Sequence, residues 1–192
     1  MLNLVLFGPP GAGKGTQSKK VIDQYGLIHL STGEIFRANI SNETDLGKLA
    51  KKYIDEGKLV PDKVTINMLQ SEVNKHEQSK GFIFDGFPRT TIQAEALDKF
   101  MSSHGTKITG MIALEVPEKE LKERLHKRAI DSGRTDDANP TIITNRIAVY
   151  NKETAPVKEY YKAQNKFYTI KGEGSIDEIA TSIFNTIESI KG

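Results

Sequence analysis

The 192-residue chain has no cysteine and no tryptophan. Without cysteine, neither a disulfide framework nor a thiolate zinc site is possible. Aromatic residues make up 7% and are dispersed, so the stacking platforms of single-strand nucleic-acid binders are missing. No apolar run approaches the roughly 18 residues needed to span a bilayer. A net charge of +2 is too small for a nucleic-acid footprint. The first apolar run begins at Leu2, which leaves no room ahead of it for a signal or transit peptide. The expected setting is therefore the cytoplasm, with neither nucleic acid nor membrane as a partner. No exposed apolar heptad argues for assembly, so a monomer is expected. His29, His76, His104 and His126 show no metal-ligand spacing and read as structural or surface residues. Arginine is also scarce. Of 27 basic residues only six are arginine: Arg37, Arg89, Arg124, Arg128, Arg134 and Arg146. Lysine serves wherever any cation will do, and a planar guanidinium suits phosphate oxygens and aromatic rings, so all six are candidate site residues.

What is present is an alternation of strand-like and helix-like segments. LNLVLF (2–7) reads as a buried parallel strand and 15–25 as helix. LIHLS (27–31) is a short strand, after which Ser31 and Glu34 form an S-x-x-E capping box for a helix to about 41. Helix is expected again at 44–56, ending at Gly57, and after Pro61, which suits a first helical turn. Strand 81–86, helix 91–101, strand 110–116 and helix 118–128 follow, then a turn-rich loop, SGRTDDAN (132–139). One long helix is expected from 140 to about 163, then strand 167–171 and a final helix 176–190. Five strands with helical crossovers predict an α/β fold with a doubly wound five-stranded parallel sheet, whose ligands sit at the carboxyl ends of the strands; the glycine-rich stretch after the first strand makes it the P-loop NTPase type. Residues 32–60, helical without a strand, and the polar stretch 129–137 fit this layering poorly and are expected to act as lids. The core is then 1–31, 61–128 and 138–192.

The chemistry starts at GPPGAGKGT (8–16). Gly8, four residues and Gly13-Lys14 match G-x-x-x-x-G-K, placed after a strand and before a helix. The glycines let successive backbone N–H groups close around phosphate oxygens, with Lys14 as a mobile positive charge, and the following helix adds its positive dipole end. The next position, where a hydroxyl usually holds Mg²⁺, is Gly15, and Thr16 arrives one residue late, about 100° around the helix. Asp85 ends the apolar run GFIFD and is the candidate to hold Mg²⁺, through water, with the phosphates doing most of the gripping. Arg89 lies just beyond that strand end in DGFPRT. Arg124 and Arg128 share a helix face, close in sequence to Arg134 and Arg146. Four cations with few intervening acids repel one another unless an anion lies between them. A GTPase switch would require a hydroxyl after Lys14 and an N-K-x-D motif, whereas Asn165-Lys166-Phe167 continues with Tyr168. A regulatory nucleotide-binding module would not need converging arginines.

GPPGAGKGTQ, LSTGEIFR, GKLVPD, FIFDGFPRTTIQAEAL, LKERLHKR, SGRTDD and NRIAVY together resemble the adenylate kinases of the short-lid type over essentially the whole chain. The displaced Thr16 is itself a mark of that family's phosphate loop. The resemblance implies transfer of the γ-phosphoryl of ATP to AMP, giving two ADP, with Mg²⁺ and without zinc. A UMP/CMP kinase of the same fold and mechanism is the alternative. It further implies that Gly11, Ala12, Gly13, Lys14, Gly15 and Thr16 cradle ATP phosphates, that Arg124 stacks on the ATP adenine, and that Gly174 closes that site by backbone contact. An AMP-binding domain at 32–60 and a short lid at 129–137 are implied. The AMP pocket would comprise Thr32, Arg37, Lys58, Leu59, Val60, Gly86, Phe87, Pro88, Arg89 and Gln93. Arg128, Arg134 and Arg146 would converge on the transferring group, the last two reaching AMP as well. Glu34 departs from the family's commoner Asp.

Overall fold

Alternate residues of β1 (Leu2–Phe7) point to opposite faces of the sheet, and each set founds its own core. The computed structural model describes residues 1–76, 78–132 and 135–191, with only the backbone at 132, 135 and 136. Val5 and Phe7 pack with Phe84, Met111, Leu97, Met101 and Tyr161 on one side. Leu4 and Leu6 pack with Ile83, Ile112, Val21, Ile183 and Ile187 on the other. Strands covered on both faces read as unbroken apolar runs, which is why LNLVLF and GFIF stand out in the sequence.

The remaining strands are β2 (Ile28–Ser31), β3 (Gly81–Asp85), β4 (Gly110–Glu115) and β5 (Phe167–Lys171). All pair in parallel, in the order β2-β3-β1-β4-β5. Crossovers run through α1 (Lys14–Tyr25), α4 (Asp62–Asn74), α5 (Thr91–Ser103) and α6 (Glu118–Ser132), and α10 (Ile176–Ile190) closes the chain. From β1 the chain runs out to the edge at β2 and then back across the sheet through β3, β4 and β5, so β1 and its neighbours are left in opposite directions and the loop after β1 sits at the switch point where such sheets bind ligands. Between β2 and α4 come α2 (Thr32–Ser41) and α3 (Asp45–Ile54). They share a small core of Phe36, Ala50, Val60 and Met68. The predicted five-stranded doubly wound fold is the observed one.

Three local expectations need correction. The single helix from 140 to about 163 is broken: α8 (Pro140–Val149) leads into a π turn at Tyr150–Thr154, and α9 (Val157–Lys162) follows. Pro156 is the cause. Its ring displaces the carbonyl four residues back and it lacks an N–H, so the turn widens and Ala155 N–H bonds Tyr150 O at 2.7 Å. The polar stretch expected as loop is partly helical, because α6 runs on to Ser132 and α7 (Thr135–Ala138) follows. The capping box at Ser31 is half formed. Ser31 accepts the Glu34 N–H, but the Glu34 carboxylate lies 3.7 Å from His29 Nδ1. A complete box occurs instead at Ser175 and Glu178, at the start of α10.

Candidate active site

After Phe7 the chain passes through Gly8, Gly11 and Gly13, all at positive φ, before α1 begins. A Cβ on Gly11 would stand 2.9 Å from Leu121 O and 3.0 Å from Leu125 Cγ. Only glycine lets the loop lie this close to α6. Lys14 Nζ folds back onto the loop and donates to Gly8 O at 2.8 Å and Pro9 O at 3.0 Å. Burial lowers its pKa to about 8; Asp85 opposes this, while Arg89, Arg128 and Arg146 add to it.

Asp85 is the buried last residue of β3, level with Leu6 on one side and Ser31 on the other. A Cβ on Gly15 would be 3.9 Å from Asp85 Oδ2. Position 15, where the sequence lacks the hydroxyl, therefore faces the acid expected to serve the metal. Burial pushes the Asp85 carboxyl upward, but His29, Lys14 and Arg89 outweigh it and hold the group below the usual carboxylate range. His29 Nε2 is 3.5 Å from Oδ2, too long for a well-formed hydrogen bond, so its influence is through space. Among the described residues no three acidic or histidine side chains cluster as a metal site. Any ion here would need most of its ligands from elsewhere.

Beyond β3, Gly86 (φ 76) precedes a cis Phe87–Pro88 bond. The Gly86 carbonyl accepts from Thr32 Oγ1 at 2.9 Å and from Arg89 Nε at 2.7 Å, which ties α2 to the β3–α5 loop. Arg37 lies under Gly33, where a Cβ would meet its Nη1 at 3.2 Å. Gln93 is buried, its amide held by Arg89 N–H and Asp62. Lys58 is exposed and paired with Glu56; Leu59 and Val60 line the wall behind it.

The cationic side differs from the expectation of mutually repelling arginines. The chain supplies its own anion, Asp137. Its side chain is 0% exposed, receives Arg128 Nη2 at 2.8 Å and is also paired with Arg128 Nε and Arg146 Nη1. Burial alone would raise the Asp137 carboxyl, but the two guanidiniums hold it below the usual range. A stretch read as solvated polar loop thus delivers a buried carboxylate. Arg124 donates to Gly172 O at 2.7 Å and pairs with Glu120, bridging α6 to the β5–α10 turn that holds Gly174 (φ 113). Gly57 (φ 70), just past α3, lies against α8: a Cβ there would stand 3.0 Å from Ile142 O and 3.1 Å from Arg146 Cγ.

One cleft of about 940 Å³ brings these groups together. It is lined by the loop residues Gly11, Ala12, Gly13, Lys14, Gly15 and Thr16, by Asp85, by Arg124, Arg128 and Arg146, and by Gly174. Thr32, Arg37, Lys58, Leu59, Val60, Gly86, Phe87, Pro88, Arg89 and Gln93 complete it. Arg134 lies outside the described residues. Sequence reasoning missed Asp137, Asp62 and the approach of His29 to Asp85. The signal for Asp137 was present: an acid in a stretch flanked by arginines needs a partner if it is buried.

Comparison with known proteins finds relatives over essentially the whole chain. The family profile described as "Adenylate kinase" matches residues 6–166. An adenylate kinase of Flavobacterium psychrophilum is 53% identical over 190 residues, covering 99% of this chain and 100% of the relative. That of Flavobacterium johnsoniae is 50% identical with the same coverage, and that of Caulobacter vibrioides 43% identical over 98% of both chains.

Proposed function

The chain belongs to the adenylate kinase family, and from that premise we propose how its cleft divides the work of phosphoryl transfer. The enzyme moves the γ-phosphoryl group of ATP to AMP, reversibly, giving two ADP. Relatives at this identity do not favour the UMP/CMP alternative. An AMP phosphate oxygen attacks the γ-phosphorus, and the bond to the oxygen bridging the β- and γ-phosphates breaks. AMP phosphate is already an anionic nucleophile, so no general base is required. The transition state spreads negative charge over three equatorial oxygens, and catalysis consists of placing the reactants in line and surrounding that charge with fixed cations.

The glycine loop receives the ATP phosphates on its N–H groups, and Lys14 leaves the Gly8 and Pro9 carbonyls to follow the moving charge. Arg128 and Arg146, with Arg134, receive the transferring group. Arg124 faces the ATP adenine beside Gly174, while Arg37 and Arg89 hold the AMP phosphate and Gln93 reads its base. Mg²⁺ suits the buried carboxylate that faces Gly15: Asp85 stays ionised and would hold the ion through water, as Mg²⁺ prefers. Bound there, Mg²⁺ neutralises phosphate charge. Residues 32–60 and 129–137 close over the two nucleotides and exclude water, the competing acceptor. The enzyme works as a monomer in the cytoplasm, and no helix among the described residues is long and apolar enough to cross a membrane.

The observation that carries this assignment is the convergence of Lys14, Asp85, Arg89, Arg128 and Arg146 on one cleft. The test is turnover of Mg-ATP against AMP, CMP and UMP in a coupled ADP assay. AMP is expected to be strongly preferred. Comparable kcat/KM for CMP would reassign the acceptor, and no ADP with any acceptor would reduce the protein to a binding module.

A further inference from the structure

Gln93 cannot choose which end of its amide faces the cleft. Its Oε1 accepts the Arg89 N–H at 2.7 Å, and its Nε2 donates to Asp62 Oδ1 at 2.8 Å. A backbone N–H can only donate and an ionised carboxylate can only accept. Turning the amide over would set N–H against N–H and oxygen against carboxylate. Asp62 is itself anchored. It is the first residue of α4, where a carboxylate is favoured by the helix dipole, and the same Oδ1 accepts the Thr90 hydroxyl at 3.0 Å. Thr90 caps α5 by accepting the Gln93 N–H at 3.2 Å, so Asp62, Thr90 and Gln93 form a closed ring of hydrogen bonds. Gln93 lines the cleft and Asp62 stands behind it, outside the lining.

We propose that Asp62 is a positioning residue that sets purine selectivity, by fixing which end of the Gln93 amide meets the acceptor base. This rests on the assignment of Gln93 to that base made above. The two partners leave one Nε2 hydrogen and one Oε1 lone pair for a ligand. Adenine offers an exocyclic amine as donor beside a ring nitrogen as acceptor, which matches a donor and acceptor in fixed order. Hypoxanthine has nearly the same outline but the opposite pattern: a carbonyl oxygen beside a ring N–H. With the amide locked, AMP makes two bonds, whereas IMP opposes donor to donor and acceptor to acceptor. Pocket size cannot separate these bases. A site built to hydrogen-bond one of them can, by up to roughly 10⁴. Without Asp62, the Arg89 N–H is the one partner among the described residues that opposes rotation of the amide.

The experiment measures kcat/KM for AMP and for IMP, with Mg-ATP as donor, in the full-length wild type and four variants. Wild type is expected to favour AMP by at least about 10³. Asp62→Ala should lower the AMP:IMP ratio roughly tenfold or more, the loss of one charge-assisted bond, with KM for ATP unchanged. Asp62→Asn keeps the shape of the site and can offer either end to Gln93, so it should move the ratio in the same direction. It carries the test if the alanine variant folds poorly. Leu97→Ala opens a cavity under α5 without touching the ring, and its melting point should fall while the ratio stays within about twofold of wild type. Gln93→Ala separates the two levels of inference. A wild-type ratio in that variant would overturn the assignment of Gln93 to the base. A collapsed ratio there, with wild-type ratios in both Asp62 variants, would overturn the positioning role alone. A ratio that falls equally in Leu97→Ala would reduce Asp62 to a structural support and overturn it too.

Discussion

Replacing Asp137 with asparagine removes the negative charge that Arg128 and Arg146 share. The acid is 0% exposed, and the guanidinium side chains are 34% and 21% exposed. Removing one partner of a fully buried ion pair costs about 3–5 kcal/mol. These arginines are partly open to water, which rehydrates and screens them, so about 2 kcal/mol is the better figure. At about 2–4 °C per kcal/mol for a chain of this size, Asp137→Asn should melt roughly 4–8 °C below wild type at pH 7. The pH dependence supplies a sharper check. The folded-state carboxyl is held below its ordinary value, so its contribution is complete above the unfolded value and is lost as pH falls through the folded one. The melting gap between wild type and variant should therefore hold from pH 7 to pH 5 and narrow below about pH 4. Turnover should also fall about tenfold or more, because Arg128 and Arg146 lose the carboxylate that holds both of them. Thermal melts across pH, read beside single-turnover rates, settle the matter. Equal melting points at pH 7, or a gap that does not narrow in acid, would refute the reasoning.

Arg128→Ala should lower kcat by roughly 10²–10³ with little change in KM, since the charge it meets grows mainly in the transition state; a raised KM at wild-type kcat would contradict that. Lys14, at about 8 in the ligand-free protein, should regain its proton when phosphates arrive. ATP affinity should thus weaken as pH rises past 8, and titration calorimetry in two buffers at pH 8.5 should report proton uptake. No uptake there would mean that Lys14 never meets the phosphates. Asp85→Ala should leave the fold intact and severely impair Mg²⁺-dependent transfer, because Gly15 has no hydroxyl to substitute. An unchanged Mg²⁺ titration would place the ion elsewhere.

The parts of this molecule that follow from local rules were legible in its sequence. The run 2–7, its glycine loop and the acid ending the run at Asp85 each obey a short-range pattern, and the five strands appear where their apolar runs stand. What stayed hidden depends on distance. No local pattern tells that Asp137 is buried against two arginines, because burial of a polar residue is decided by what folds over it. Asp62 precedes Gln93 by 31 positions and meets it only through the packing of α4 on α5. The break at 150–154 was readable, since Pro156 lies inside the expected helix, but helical periodicity on either side concealed it. Glu34 shows the opposite failure. The sequence rule for a capping box is satisfied, yet its carboxylate faces His29.

The wide turn at Tyr150–Thr154 also acts as a phase shifter. A helix carries angular phase along its length at about 100° per residue, so a single extra residue re-aims everything beyond it. On one side of the turn Arg146 points into the cleft; on the other, Val157 and Tyr161 are 0% exposed in the sheet core. Core packing fixes the angle of α9, and the turn converts that angle into the aim of α8. Deleting one residue from 150–154 would swing Arg146 about a quarter-turn from Asp137. Chain length in these five positions is thus a working part of the site, independent of which side chains occupy them.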